Sequence, residues 1–276
     1  MMSPEKTGAF STMAIRNLVK HRSLIWQLMK REVLGRYRNS ILGVVWSLAH
    51  PLMMLTVYTL VFRFVFKVRW SADENQNSID FALALFTGLI AHSLFSECIS
   101  RAPNLIVNNV NYVKKVVFPL EVLPLVSLAA SLFQMGVNLM VLLLFYAVSH
   151  HSLNWTATMF PLLVIPMALV VLGASWFLAS VGVFVRDVGH ATGVVSSLML
   201  FLSPVFYPVS ALPEAYRPLL YLNPLTFIIE QARDVLIAGK LPSWYGLGVY
   251  FLCSGVVAWL GLAWFERTRK GFADVL

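Results

Sequence analysis

The stretch FLSPVFYPVSALPEAYRPLLYLNPLTFIIEQARDVLIAGKLP, residues 201–242, decides how this chain is read. Pro204 and Pro208 close an apolar run, and Pro213, Pro218, Pro224 and Pro242 break the remainder, yet the segment stays rich in Leu, Ile, Tyr and Phe. Proline removes a backbone donor and cannot continue a helix. Backbone this irregular cannot face lipid, where each unpaired N–H or C=O costs several kcal/mol. It is tolerated only when buried in protein or lining a water-filled cavity. An apolar chain with a proline-broken hairpin before its last apolar run therefore reads as a conduit.

The rest of the chain agrees. Of 276 residues 58% are hydrophobic and only 12% charged, and the mean hydropathy is +0.73. Soluble domains sit nearer half apolar and a quarter charged, so this is an integral membrane protein, and its length leaves no room for a separate catalytic domain. The net charge of +8 raises nucleic acid as a partner, but its distribution argues for no nucleic acid. Eight of the 21 Lys and Arg precede residue 40, and Arg267, Arg269 and Lys270 cluster at the other end. Basic residues flanking apolar runs mark the cytoplasmic side. Cys98 and Cys253 lie in apolar runs without metal-ligand or disulfide spacing. The polar, basic first 40 residues lack a cleavable leader pattern, so the first span is expected to direct insertion.

About 20 apolar residues cross the hydrocarbon core as a helix. Six runs qualify, at 41–66, 81–100, 120–148, 159–185, 191–207 and 245–265, which makes the expected fold an all-α membrane domain over 41–276 behind a tail at 1–40. Six spans put both termini on one side, and their basic flanks make that side the cytoplasm of a plasma (inner) membrane protein. Loops 67–80, 149–158 and 208–244 then lie outside, and 101–119 and 186–190 inside. Of the 21 basic residues this places 15 inside and six outside. Leu24, Ile25, Leu28, Met29 and Val33 recur at helical spacing opposite Gln27, Lys30, Arg31, Arg36 and Arg38, as in an amphipathic helix lying in the cytoplasmic interface.

Three groups of residues carry functional possibilities. The loop 101–119 holds Asn104, Asn108, Asn109, Asn111, Tyr112, Lys114 and Lys115 between Pro103 and Pro119. It is either a polar connector or a helix that docks into a soluble partner, and its length favours docking, since a connector needs only a few residues. Arg36 and Arg38 flank Tyr37 at the approach to the first span. They either snorkel to headgroups or grip a phosphate or pyrophosphate with two guanidinium forks. Tyr58, Phe62 and Phe66 recur on one face of the first span, Trp176 sits mid-span, and Phe201, Phe206 and Tyr207 end the fifth. Such rings either belt the membrane interface or line a channel in which sugar rings slide. Glu97 is an intramembrane acid, either a functional candidate by default or simply the partner of Arg101 four residues on.

Catalytic constellations are missing from the sequence. Gly239-Lys240 lacks the upstream Gly and the Ser/Thr of a phosphate-binding loop. His150-His151 has no acidic partner near it in the chain, and no pair of acids is seen to converge at a membrane face. An intramembrane lipid-carrier enzyme is therefore disfavoured. Energy must come from another chain.

KREVLGRYRNSILG at 30–43, with Trp46 and Pro51-Leu52, resembles the approach to the first span of type 2 ABC exporter permeases for polysaccharides. Phe184-Val185-Arg186-Asp187-Val188 is similar to their turn between spans four and five. Ser203-Pro204-Val205-Phe206-Tyr207, Leu212-Pro213 and Tyr221-Leu222-Asn223-Pro224-Leu225 resemble their outer re-entrant segment. The resemblance runs along the whole chain. It implies a homodimer of six-span subunits with an N-terminal interfacial helix and a re-entrant helical hairpin between spans five and six. Two copies of a separate nucleotide-binding subunit would bind ATP and Mg, leaving no cofactor in this chain. Asn108, Tyr112, Lys114, Lys115, Arg186 and Asp187 would couple to that subunit. Arg36 and Arg38 would meet the pyrophosphate of an undecaprenyl-linked glycan, with O-antigen the first expectation. Tyr58, Phe62, Trp176, Phe201, Phe206 and Tyr207 would line the channel between protomers. The alternatives are a teichoic acid or capsule permease, or a type 2 permease for a small lipophilic drug or lipid.

Overall fold

The computed structural model describes residues 22–37, 45–61, 78–113 and 118–276, and among them every regular element is helical. Four segments are long and apolar enough to cross a membrane: Ile79–Arg101, Val122–His150, Trp155–Phe184 and Trp244–Val275. The first, α3 (Ser78–Arg101), has 24 residues, about 36 Å at 1.5 Å per residue, against a core of about 30 Å. The helices before it are α1 (Arg22–Tyr37) and α2 (Val45–Leu60). After it come two four-residue turns, α4 (Asn104–Val107) and α5 (Val110–Val113), then α6 (Val122–His150). Next are α7 (Phe160–Phe184) and α8 (Val188–Leu202), followed by α9 (Arg217–Leu220), α10 (Pro224–Leu236), α11 (Trp244–Thr268) and α12 (Phe272–Val275).

α3 is the centre of the bundle. Phe81 to Phe86 are buried without a break, because α2, α6, α7, α8 and α10 all pack around the helix. A helix apolar all round is expected only where every face meets protein or lipid. The tightest pair is α7 with α11. A Cβ on Gly261 would stand 2.0 Å from the Gly173 carbonyl oxygen, so two backbones touch where only glycine fits.

One expectation changes here. The fifth apolar run extends over 191–207 in the sequence, but α8 ends at Leu202. Ser203 turns extended, with φ −88° and ψ 151°, as a residue before proline must when the ring of Pro204 crowds the helical region. At 15 residues α8 is about 22 Å long, and α2, at 16, about 24 Å. On α1, the stripe of Leu24, Ile25, Leu28 and Met29 packs against Phe118, Val122 and Val126 at the start of α6.

Candidate functional site

The residues that interrupt the apolar pattern fall at two ends of the bundle. At one end lies the irregular segment after α8. Ser203 and Val205 are fully buried, so their polar groups need partners within the protein. Asn223 Nδ2 donates to Ser203 Oγ at 2.8 Å, and Arg233 Nη2 donates to the Val205 carbonyl at 2.8 Å. Arg233 Nε reaches the Ala84 carbonyl on α3 at 3.0 Å, and Nη1 meets Glu230 Oε1 at 3.1 Å. One buried guanidinium therefore ties α10, α3 and the irregular segment together. Gly88 makes room for this: a Cβ there would press on Arg233 Nη2 at 3.1 Å and Val205 Cα at 3.2 Å.

α10 itself has no exposed residue. Asn223 caps it by accepting from the Leu225 N–H at 2.9 Å, with Pro224 in the first turn. Its last carbonyls, which a helix leaves open, are filled from the end of α6 and the α6–α7 connection. Thr156 donates to Val235 O at 2.6 Å, and Asn154 and Tyr146 donate to Ile237 O at 2.8 and 3.3 Å. Tyr250 on α11 donates to Pro224 O at 2.9 Å. Both ends of a 13-residue buried helix are thereby fixed. Arg233, Asn154, Tyr146 and Tyr250 were not singled out from the sequence. A lone arginine in the apolar run 224–238 was the available signal.

Beside this helix is a cavity of about 380 Å³ lined by Asp80, Tyr146, His150, Glu230, Arg233 and Asp234. Two expectations are corrected by it. His150 Nε2 lies 2.9 Å from Asp80 Oδ1, an acidic partner 70 residues earlier on α3, and three acids do converge on one space. Asp80 is paired with His150 and Glu230 with Arg233. Among the described residues no group of three or more His, Cys, Asp or Glu is arranged to hold a metal ion. Burial pushes the Glu230 carboxyl above its ordinary value while Arg233 pulls it back. Burial lowers Arg233 to about 10, so it stays charged at neutral pH.

At the other end lies the loop after α3. Asn104, Asn108 and Asn111 are exposed, Ile106 is fully buried, and Tyr112 is half-buried. Tyr112 stacks on Phe118 with centroids 4.2 Å apart and accepts from Arg31 Nη2 at 2.9 Å. Arg101 pairs with Glu97, as the spacing indicated, at 3.6 Å, and more closely with Glu32 of α1 at 3.1 Å. Arg186 and Asp187 are exposed on the turn between α7 and α8. The two segments meet. A Cβ on Gly182 would stand 2.2 Å from the Pro103 carbonyl oxygen, and Gly189 faces the Asn104 side chain. Buried Glu121 receives Arg269 at 2.8 Å, which also donates to Phe118 O at 3.1 Å. Lys114 and Lys115 lie outside the described residues.

The aromatic set divides. Phe201 is 67% exposed and stacks with half-buried Phe206 at 5.7 Å, while Tyr207 donates its hydroxyl to Phe201 O at 3.2 Å. Tyr58 is half-buried against the core. Trp176 is 4% exposed and donates its indole N–H to the Glu121 carbonyl at 3.0 Å, so its ring packs among helices of its own chain. Arg36 sits in the last turn of α1. Arg38 and Phe62 lie outside the described residues.

Long apolar helices around a central buried one describe a multi-pass membrane protein, and residues 23–237 match the ABC-2 type transporter family, to which the chain belongs. The chain is 28% identical over 262 residues to the O-antigen export system permease protein RfbA of Myxococcus xanthus, covering 94% of this chain and 98% of that protein. It is 26% identical over 255 residues to the protein of the same name in Klebsiella pneumoniae, covering 92% and 95%. To the polysialic acid transport protein KpsM of Escherichia coli it is 23% identical over 249 residues, covering 88% and 92%.

Proposed function

We propose that this chain is the membrane permease of an ATP-driven exporter that carries a lipid-linked polysaccharide, O-antigen first, across the inner membrane. The observation that carries this reading is the end-to-end likeness to O-antigen and capsule-type permeases. The chain works as a homodimer of six-span subunits, α2 and α8 completing the count beside the four long spans. Both termini face the cytoplasm. ATP and Mg are bound by two copies of a separate nucleotide-binding subunit.

The geometry supports the re-entrant, docking and stacking parts of this reading. α10 is 13 residues long and has no exposed residue. A helix of 10–14 residues is too short to span and suits a re-entrant element, so residues 208–242 enter the outer membrane half and return. The exposed Asn104, Asn108 and Asn111, on the segment whose Pro103 and Asn104 meet Gly182 and Gly189 on either side of the Arg186–Asp187 turn, form one docking face for the ATPase. Exposed Phe201, with Phe206 and Tyr207, offers stacking surface to a passing glycan between protomers. Arg36 and Arg38 meet the carrier pyrophosphate at the inner headgroup level.

The test is reconstitution with the nucleotide-binding subunit and a lipid-linked O-polysaccharide. Hydrolysis of ATP rises on adding the glycan. Changing Tyr112, Lys114 and Lys115 together to Ala abolishes co-purification with the ATPase. Arg36→Lys/Arg38→Lys, which keeps charge but loses the planar fork, lowers stimulated hydrolysis and leaves basal hydrolysis intact. A complex stimulated by a capsule polysaccharide but not by O-polysaccharide would reassign the cargo, and one indifferent to both would refute the reading.

A further inference from the structure

The contact of Gly173 with Gly261 leaves a groove on the exposed side of the α7–α11 pair, with a volume of about 420 Å³. Its walls are Phe177 and Trp264, whose ring centroids lie 5.6 Å apart, with Val257 and Leu260 further along. All four side chains are exposed in the protomer. Val257, Gly261, Trp264 and Arg267 succeed one another at intervals of four, three and three residues, so they share one face of α11. Arg267 also lines the groove and therefore stands at its end. Its neighbour Arg269 is held by Glu121. Arg267 itself makes no hydrogen bond or ion pair among the described residues.

The length of the groove says what fits. Ten residues separate Val257 from Arg267, about 15 Å along a helix. That is half of the roughly 30 Å hydrocarbon core, the depth of one leaflet. An apolar trough one leaflet deep with an unpaired guanidinium at its mouth has the shape and charge of one lipid tail and its phosphate. We propose that this groove binds an acyl chain of an anionic phospholipid from the surrounding bilayer, with Arg267 holding the headgroup phosphate. Guanidinium and phosphate meet by charge-assisted hydrogen bonds, and the tail packs on the exposed faces of Phe177, Val257, Leu260 and Trp264. A zwitterionic lipid supplies the tail but offsets the phosphate charge with its own cation. A polyprenyl carrier shares the chain-plus-phosphate chemistry but outruns a trough one leaflet deep.

The full chain is reconstituted in nanodiscs of equal phosphatidylglycerol and phosphatidylcholine, and retained lipids are counted by native mass spectrometry. Phosphatidylglycerol is enriched about fivefold, the factor equivalent to roughly 1 kcal/mol for one basic residue at an anionic surface. Arg267→Gln brings the ratio to about one. Lys270→Gln, exposed and outside the groove, leaves the enrichment in place. Ala174→Phe, which fills the groove, lowers retention of both lipids, with helix content checked by circular dichroism. No enrichment in the parent chain, or enrichment that survives Arg267→Gln, overturns the proposal. So does a polyprenyl phosphate retained by chain purified from cell membranes and lost on Arg267→Gln. None of these readouts depends on export, so the lipid site and the transport reading stand or fall separately.

Discussion

Arg233→Met tests whether the outer hairpin is held by one buried cation. The side chain is 8% exposed and serves Glu230, Ala84 O and Val205 O at once. Methionine matches its length but makes none of these bonds, so two buried carbonyls and a partly buried carboxylate lose their partner together. Removing one member of a buried pair costs about 3–5 kcal/mol. For chains of 150–250 residues 1 kcal/mol moves the melting temperature by about 2–4 °C, so the expected fall is roughly 6–20 °C. The assay is thermal unfolding of the chain in nanodiscs, tracked by far-ultraviolet circular dichroism. Arg233→Met/Glu230→Gln removes the uncompensated charge as well and should recover part of the loss, though the carbonyls stay open at about 1–3 kcal/mol each. A single variant that melts within about 2 °C of the parent, less than the shift of 1 kcal/mol, would refute the idea that this guanidinium anchors α10. So would a double variant no better than the single.

Three further outcomes rest on the same geometry. Gly261→Ala places a methyl group 2.0 Å from the Gly173 carbonyl oxygen and should destabilise by about 1–3 kcal/mol as an overpacked contact. Gly255→Ala on the same helix meets nothing within 4 Å and should melt no lower than the parent, which the same thermal assay checks. Burial raises the Asp234 carboxyl, and Lys240 partly opposes it. The neutral acid is thus favoured in the fold, and its contribution is present below the ordinary value of about 3.9 and lost as pH climbs through the raised one. Asp234→Asn removes this dependence, so its melting temperature should gain on the parent as pH rises from about 4 toward neutrality. A gap that narrows on that path would reverse the sign. Cysteines placed at Ser152 and Ser243, both exposed, should react with an impermeant thiol reagent in cells, and one at Ser11 should not. The opposite pattern would invert the topology.

Much of this protein is legible along the chain because the membrane acts locally. A span must be about 20 apolar residues long whatever it packs against, so four long helices were found within a few residues of their observed ends. Prolines mark breaks by covalent geometry alone, which is why residues 201–242 announced an irregular segment; its burial holds at 203–209 and 223–237, whereas most of 210–222 is exposed. The Glu97–Arg101 pair and the stripe on α1 were visible for the same reason: helical neighbours lie three and four residues apart. The partner of that stripe was not visible, since Val122 and Val126 lie about a hundred residues downstream.

The tertiary structure alone decided the rest, and always across long separations. Arg233 reads as one more basic residue until Ala84, 149 positions earlier, is brought under its guanidinium. His150 has no acid beside it in sequence but meets Asp80 across the bundle. Trp176 looks like a channel ring and is instead a core donor to Glu121 O. Local rules of hydropathy, proline and charge determined which segments are helices and where they end. Which polar group satisfies which was settled only by packing, because a buried donor or acceptor takes whatever partner the fold carries to it.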